Sequence, residues 1–134
     1  MGVNVSWDSE DKSRLRYDFE GQWTWPEFRA SASVAFAMTR SVEHKVDTIS
    51  YFHPGAALPP DAFFQFRRAM YEAPKNRGTQ VIVGGTTFIT TMVSVFSRLY
   101  KQFGEKLMTA DSLEEARRLL DEKRKKAAAS GQAH

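Results

Sequence analysis

Two stretches of this 134-residue chain combine residue types that could meet a ligand. The first is Val83-Gly84-Gly85-Thr86-Thr87. A β-branched run ends there, two glycines expose backbone amides, and a helical pattern follows. Such a turn aims N–H groups and the positive end of a helix at an anion. Gly84, Gly85, Thr86 and Thr87 are therefore the candidate ligand-binding residues. The turn lacks the lysine of a phosphate-binding loop and the third glycine of a dinucleotide fingerprint. The same residues also serve any strand-to-helix turn, which needs pliable backbone and a cap. The second stretch runs from His53 to Phe64. His53 follows a central apolar run, at the edge where open α/β sheets often bind ligands. Pro60 and Asp61 then open a helix, and one of the adjacent Phe63 and Phe64 must face away from the sheet.

Other chemistry is not spelled out. His44, His53 and His134 are scattered, and none has a second ligand at metal-binding spacing. His44 falls near the end of a helical pattern, where a cation suits the dipole. There is no Gly-x-Ser-x-Gly elbow, and no two acids pair at a recognisable spacing. Cysteine is absent, which removes thiol catalysis, disulfides and thiolate metal sites and fits a reducing compartment. The residues thus imply no enzyme, no metal and no cofactor.

Charge narrows the partners. The chain carries +3, and residues 121–134 hold +2 of it through Lys123, Arg124, Lys125 and Lys126 against Asp121 and Glu122. The body is close to neutral, which argues against nucleic acid, whose binders carry a basic face. No apolar run approaches the roughly 20 residues that span a bilayer.

The elements that position these residues follow from periodicity. Val3, Val5 and Trp7, then Leu15, Tyr17 and Phe19, alternate with polar residues as an antiparallel pair does. Thr24-Trp25-Pro26-Glu27 predicts a helix start with a capping box and proline in the first turn. That helix carries Phe28, Ala32, Ala35, Phe36 and Thr39 and extends to about residues 43–45. Trp23 and Trp25 flank its start, either as core residues or, for one of them, as an exposed anchor. Val46 to Phe52 reads as a central strand. A second helix follows Asp61, with Phe63, Phe66, Met70 and Ala73 inward. Gln80 to Val83 is the next strand. A third helix buries Phe88, Ile89, Met92, Phe96, Leu99 and Phe103. Lys106 to Thr109 is a last strand. Asp111 or Ser112 caps a fourth helix with Leu113, Ala116, Leu119 and Leu120 inward. The whole is one α/β domain over residues 1–120, a mixed sheet of about five strands with about four helices. Residues 121–134 read as a basic, partly disordered tail.

This order, a hairpin followed by βαβαβα, resembles the STAS domains of anti-sigma-factor antagonists over roughly residues 3 to 120. The closing Asp111-Ser112-Leu113-Glu114-Glu115-Ala116 is similar to that family's start of its last helix. The resemblance implies a cytoplasmic regulator that docks on a protein partner. It also implies a serine switch at the start of the second helix. Here Pro59-Pro60-Asp61-Ala62 occupies that place, so a permanent carboxylate stands where a phosphate would come and go. The implied docking residues are His53, Pro60, Asp61 and Phe64. Some relatives bind nucleotides or lipids, which keeps the Gly84 to Thr87 turn as an alternative. A homodimer built on the hairpin is a third reading.

Overall fold

The computed structural model describes residues 2–99 and 106–129. Phe103 and His134 lie outside the described residues. Among those residues the order is β1 (Val3–Trp7), β2 (Arg14–Phe19), α1 (Trp25–Arg40), β3 (Val46–Phe52), α2 (Ala62–Glu72), β4 (Arg77–Gly84), α3 (Thr87–Leu99), β5 (Leu107–Ala110) and α4 (Leu113–Ala129). The expected α/β class, with a five-stranded mixed sheet and four helices, is the one observed.

The sheet runs β1-β2-β3-β4-β5. β1 is antiparallel to β2, and the other three junctions are parallel. Each parallel crossover steps one strand in the same direction. Right-handed crossovers of that kind leave their helices on one face. Hence α1, α2 and α3 pack over Leu15, Phe19, Phe52 and Ile82. α4 covers the opposite face, setting Ala116 and Leu120 on Ile49, Val81 and Val83.

α1 begins as its sequence predicts. The Glu27 N–H donates to the Thr24 hydroxyl at 3.3 Å, and the Thr24 N–H donates to Glu27 Oε1 at 3.1 Å. Its end comes earlier than expected, at Arg40, because other groups take the last carbonyls. The Ser41 hydroxyl donates to the Met38 carbonyl at 2.6 Å. The Asn76 amide donates to the carbonyls of Thr39, Val42 and His44 at 2.8, 3.1 and 3.0 Å. His44 therefore sits in a loop and not at a helix terminus, with Nε2 2.9 Å from the Lys12 carbonyl. Asn76→Ala takes a donor from all three carbonyls, with Thr39 keeping the Val42 N–H at 3.4 Å, and is expected to cost about 1–3 kcal/mol in urea denaturation.

Three other boundaries differ from the sequence reading. β4 begins at Arg77 and takes Gly78 inside the strand. Gly78 is placed there by Asp47, whose Oδ1 a Cβ at that position would overlap. On α3 the buried stripe is Ile89, Met92, Val93 and Phe96, spaced i, i+3, i+4, i+7 as one helix face requires. Phe88 and Leu99, at the two ends of α3, are exposed, not buried. Finally, α4 runs to Ala129, into the segment that reads in sequence as a basic, partly disordered tail, and its Arg124 reaches Asp47 at 2.9 Å.

Candidate functional site

The C-terminal ends of the parallel strands gather both candidate regions. Phe52 and Gly84 are register partners on β3 and β4. The loop after Phe52 and the turn after Gly84 therefore leave the sheet side by side, and α2 starts from the first of them.

His53 is held tightly. Its Nε2 lies 2.8 Å from Asp18 Oδ1, and its Nδ1 lies 3.8 Å from Glu20 Oε1. The Tyr51 ring packs on it with centroids 4.2 Å apart. Asp18 also accepts from Arg16 Nε at 3.0 Å. Sequence spacing does not reveal these carboxylates, because β2 and β3 meet only through the sheet. The Nε2 contact with Asp18 ties the loop to β2, while Nδ1, at 3.8 Å from Glu20, is beyond hydrogen-bond reach of that carboxylate.

The loop itself is pinned from α1. Trp23 Nε1 donates to the Ala57 carbonyl at 2.5 Å, and Trp25 Nε1 donates to the Pro60 carbonyl at 2.6 Å. Trp23 is buried and Trp25 half-buried. Neither is a free anchor; each is an apolar body with a polar handle on a loop carbonyl.

Asp61 occupies the N-cap of α2 with φ 74° and ψ 17°. That left-handed position is one aspartate tolerates better than most residues. Its side chain caps no backbone amide but accepts from Gln65 Nε2 at 3.3 Å. The carboxylate is exposed beside the positive end of α2, where charge of its sign is favoured. Next along, the two phenylalanines divide as helix geometry requires. Phe63 turns inward and stacks on Phe96 with centroids 4.6 Å apart. Phe64 turns outward and is 56% exposed. The Arg67 guanidinium lies 5.1 Å above its ring, within cation–π range. One turn further, Tyr71 is also 56% exposed. Phe64, Arg67, Arg68 and Tyr71 line a shallow concavity on the outer side of α2.

The glycine turn has a local explanation. Gly84 has φ +77° and lies so close to the Phe52 carbonyl that a Cβ would overlap it. Thr86 supplies the carbonyl that begins α3, accepting from the Ile89 and Thr90 N–H groups. Thr86 and Thr87 are exposed. Among the described residues no group of three or more His, Asp or Glu side chains is arranged to hold a metal ion. No described helix is long and apolar enough to cross a membrane.

Comparison with family models, curated proteins and solved structures finds no match to this chain. The class defined here is a mixed α/β domain with three helices on one sheet face and one on the other.

Proposed function

We propose that the chain is a non-catalytic regulatory module that docks a protein partner on the outer face of α2 and the loop leading into it. The observation that carries this reading is the outward pair Phe64 and Tyr71, each more than half exposed and seven residues apart on one helix. Large aromatic side chains beside arginines are the usual composition of binding hot spots. Arg67 and Arg68 favour a partner with an acidic surface. The carboxylate of Asp61 and the clamped loop from His53 to Pro60 border the same face, where the STAS resemblance would put its docking surface. The scaffold supports the role, because tryptophan hydrogen bonds fix the loop and a rigid loop loses little entropy on binding.

The test is a pull-down with three baits, wild type, Phe64→Asp and Asp61→Ser, each checked for folding by circular dichroism. Phe64→Asp is expected to weaken capture of the wild-type partner by about 30-fold or more, the loss of one hot spot. Asp61→Ser is expected to strengthen it slightly, because it removes an exposed negative charge that faces the acidic partner. Capture that is equal for all three baits would place docking elsewhere.

A further inference from the structure

We infer that the space between the sheet and α1, α2 and α3 is a binding site for a small uncharged molecule with an aromatic or branched aliphatic body and a hydrogen-bonding oxygen. This site is separate from the outer face of α2.

The inference starts from a broken pattern. A strand covered on both faces reads as a nearly continuous apolar run. β3 is such a strand, yet its residues toward the three helices include Thr48 and Ser50. The neighbouring strands add Tyr17 and Gln80 to the same lining. Registry makes the four contiguous, because Tyr17 pairs with Ser50 and Thr48 pairs with both Leu15 and Gln80. A polar patch thus sits in the middle of a floor walled by phenylalanine, leucine and methionine.

These groups are not consumed by the fold. Tyr17 is only 7% exposed, and among the described residues its hydroxyl has no hydrogen-bond partner. Burial alone pushes its phenol well above the ordinary range. The side chains of Thr48, Ser50 and Gln80 likewise form no hydrogen bond among the described residues. Yet among the described residues no side-chain nitrogen or oxygen is sealed in protein without a partner. The four groups therefore border open space. Half-buried polar groups that line an otherwise apolar space can be met by a polar partner that enters it. A ligand oxygen that accepts from Tyr17 supplies one.

The space is real but small. The cavity holds about 90 Å³, against roughly 150 Å³ for an engineered apolar cavity that takes benzene. A ring-sized ligand therefore needs α2 to give. That helix is loosely seated, since Phe66, Ala69 and Met70 on its inner side are only half-buried. A groove of about 290 Å³ between α1 and α2 shares Phe28, Phe36 and Ala69 with the cavity and gives a way in. Among the described residues Arg77 is the one charged residue on the cavity lining, and it donates to the Ala73 and Pro74 carbonyls at 3.3 Å. An uncharged ligand fits that lining.

The probes are p-cresol and toluene, which share a body and differ by one hydroxyl. Methyl NMR of the methionine-labelled full chain reports the site, because Met70 and Met92 line the cavity while Met38 and Met108 do not. With p-cresol, saturable shifts are expected at Met70 and Met92, with Met38 and Met108 unmoved. Toluene is expected to bind about fivefold more weakly, the worth of one net hydrogen bond. Tyr17→Phe is expected to keep its thermal midpoint and to bring the two probes to near parity. If Tyr17→Phe does not fold, Ser50→Ala is put through the same comparison and is expected to narrow the gap. Three outcomes overturn the inference: no saturable shift at Met70 and Met92, equal shifts at all four methionines, or an undiminished preference for p-cresol in every folded variant.

Discussion

Asp47→Ala is expected to destabilise the domain by about 3–5 kcal/mol, because it removes one partner of a buried ion pair and leaves the other. The Asp47 side chain is 2% exposed. Its Oδ2 accepts from Arg124 Nε at 2.9 Å, and its Oδ1 accepts from the Thr79 N–H at 2.8 Å. The same guanidinium donates to the carbonyls of Ser13 and Lys45, both at 3.1 Å. Four chain segments therefore converge on one charge pair. The pair also reaches the region read from sequence as a tail. Ending the chain after Leu120 removes Arg124 and is expected to cost about as much as Asp47→Ala. Because both changes break the same interaction, Asp47→Ala in the shortened chain should add less than about 1 kcal/mol, a coupling that urea denaturation of the double-mutant cycle measures. Additive losses would show that Arg124 is not the partner on which Asp47 depends.

The features legible in the sequence are those written in short windows. Thr24 and Glu27 stand three residues apart and form the capping box that their spacing predicts. The alternation of Leu15, Tyr17 and Phe19 gives the buried side of β2 directly. Phe63 and Phe64 had to divide between inside and outside, and they do. What was hidden depends on long-range contact. Asp47 lies inside an apolar strand and Arg124 inside a basic run, 77 residues apart. Neither position signals the other. The carboxylates beside His53 come from Asp18 on β2 and Glu20 just after it, and the groups that restrain the loop before α2 are indole N–H groups of Trp23 and Trp25. Sequence offers those indoles as core residues or, for one of them, as an exposed anchor, and neither reading includes a hydrogen bond to the loop. The polar floor was equally silent. Val46 to Phe52 mixes polar and apolar residues, but only the sheet's register shows that Thr48, Ser50, Tyr17 and Gln80 share one patch.

α2 links the two proposals. Its outer side carries Phe64, Arg67 and Tyr71, and its inner side roofs the cavity with Phe66, Ala69 and Met70. A ligand that lifts this helix would therefore act on the docking face. The coupling would equal the ligand's difference in affinity between the two seatings of α2 and no more.

Asp8→Ala is expected to be as costly as Asp47→Ala, about 3–5 kcal/mol at neutral pH, and to differ from it in what it leaves behind. The Asp8 side chain is 2% exposed and meets three arginines. Arg14 Nε donates at 2.7 Å, Arg16 at 3.2 Å, and Arg117 at 3.0 and 2.7 Å through Nε and a terminal nitrogen. Removing the carboxylate leaves three like charges together, and among the described residues only Arg14 and Arg16 have a further acid, in Asp121 and Asp18. Arg117 comes from α4, so the hairpin also loses its tie to that helix. Protonation should repeat part of this loss. Burial raises the Asp8 pKa, but hydrogen bonds and charges from Arg117 and Arg14 outweigh it and hold the carboxyl below its ordinary value. A depressed folded-state pKa gives stability that is fully present above the unfolded value, near 4, and is lost as pH falls through the folded one. Urea denaturation at pH 7 and at successively lower pH should therefore show wild type losing stability below about pH 4 more steeply than Asp8→Asn, which has no proton to gain there. Parallel pH profiles for the two proteins would show that Arg117 and Arg14 do not depress the Asp8 pKa.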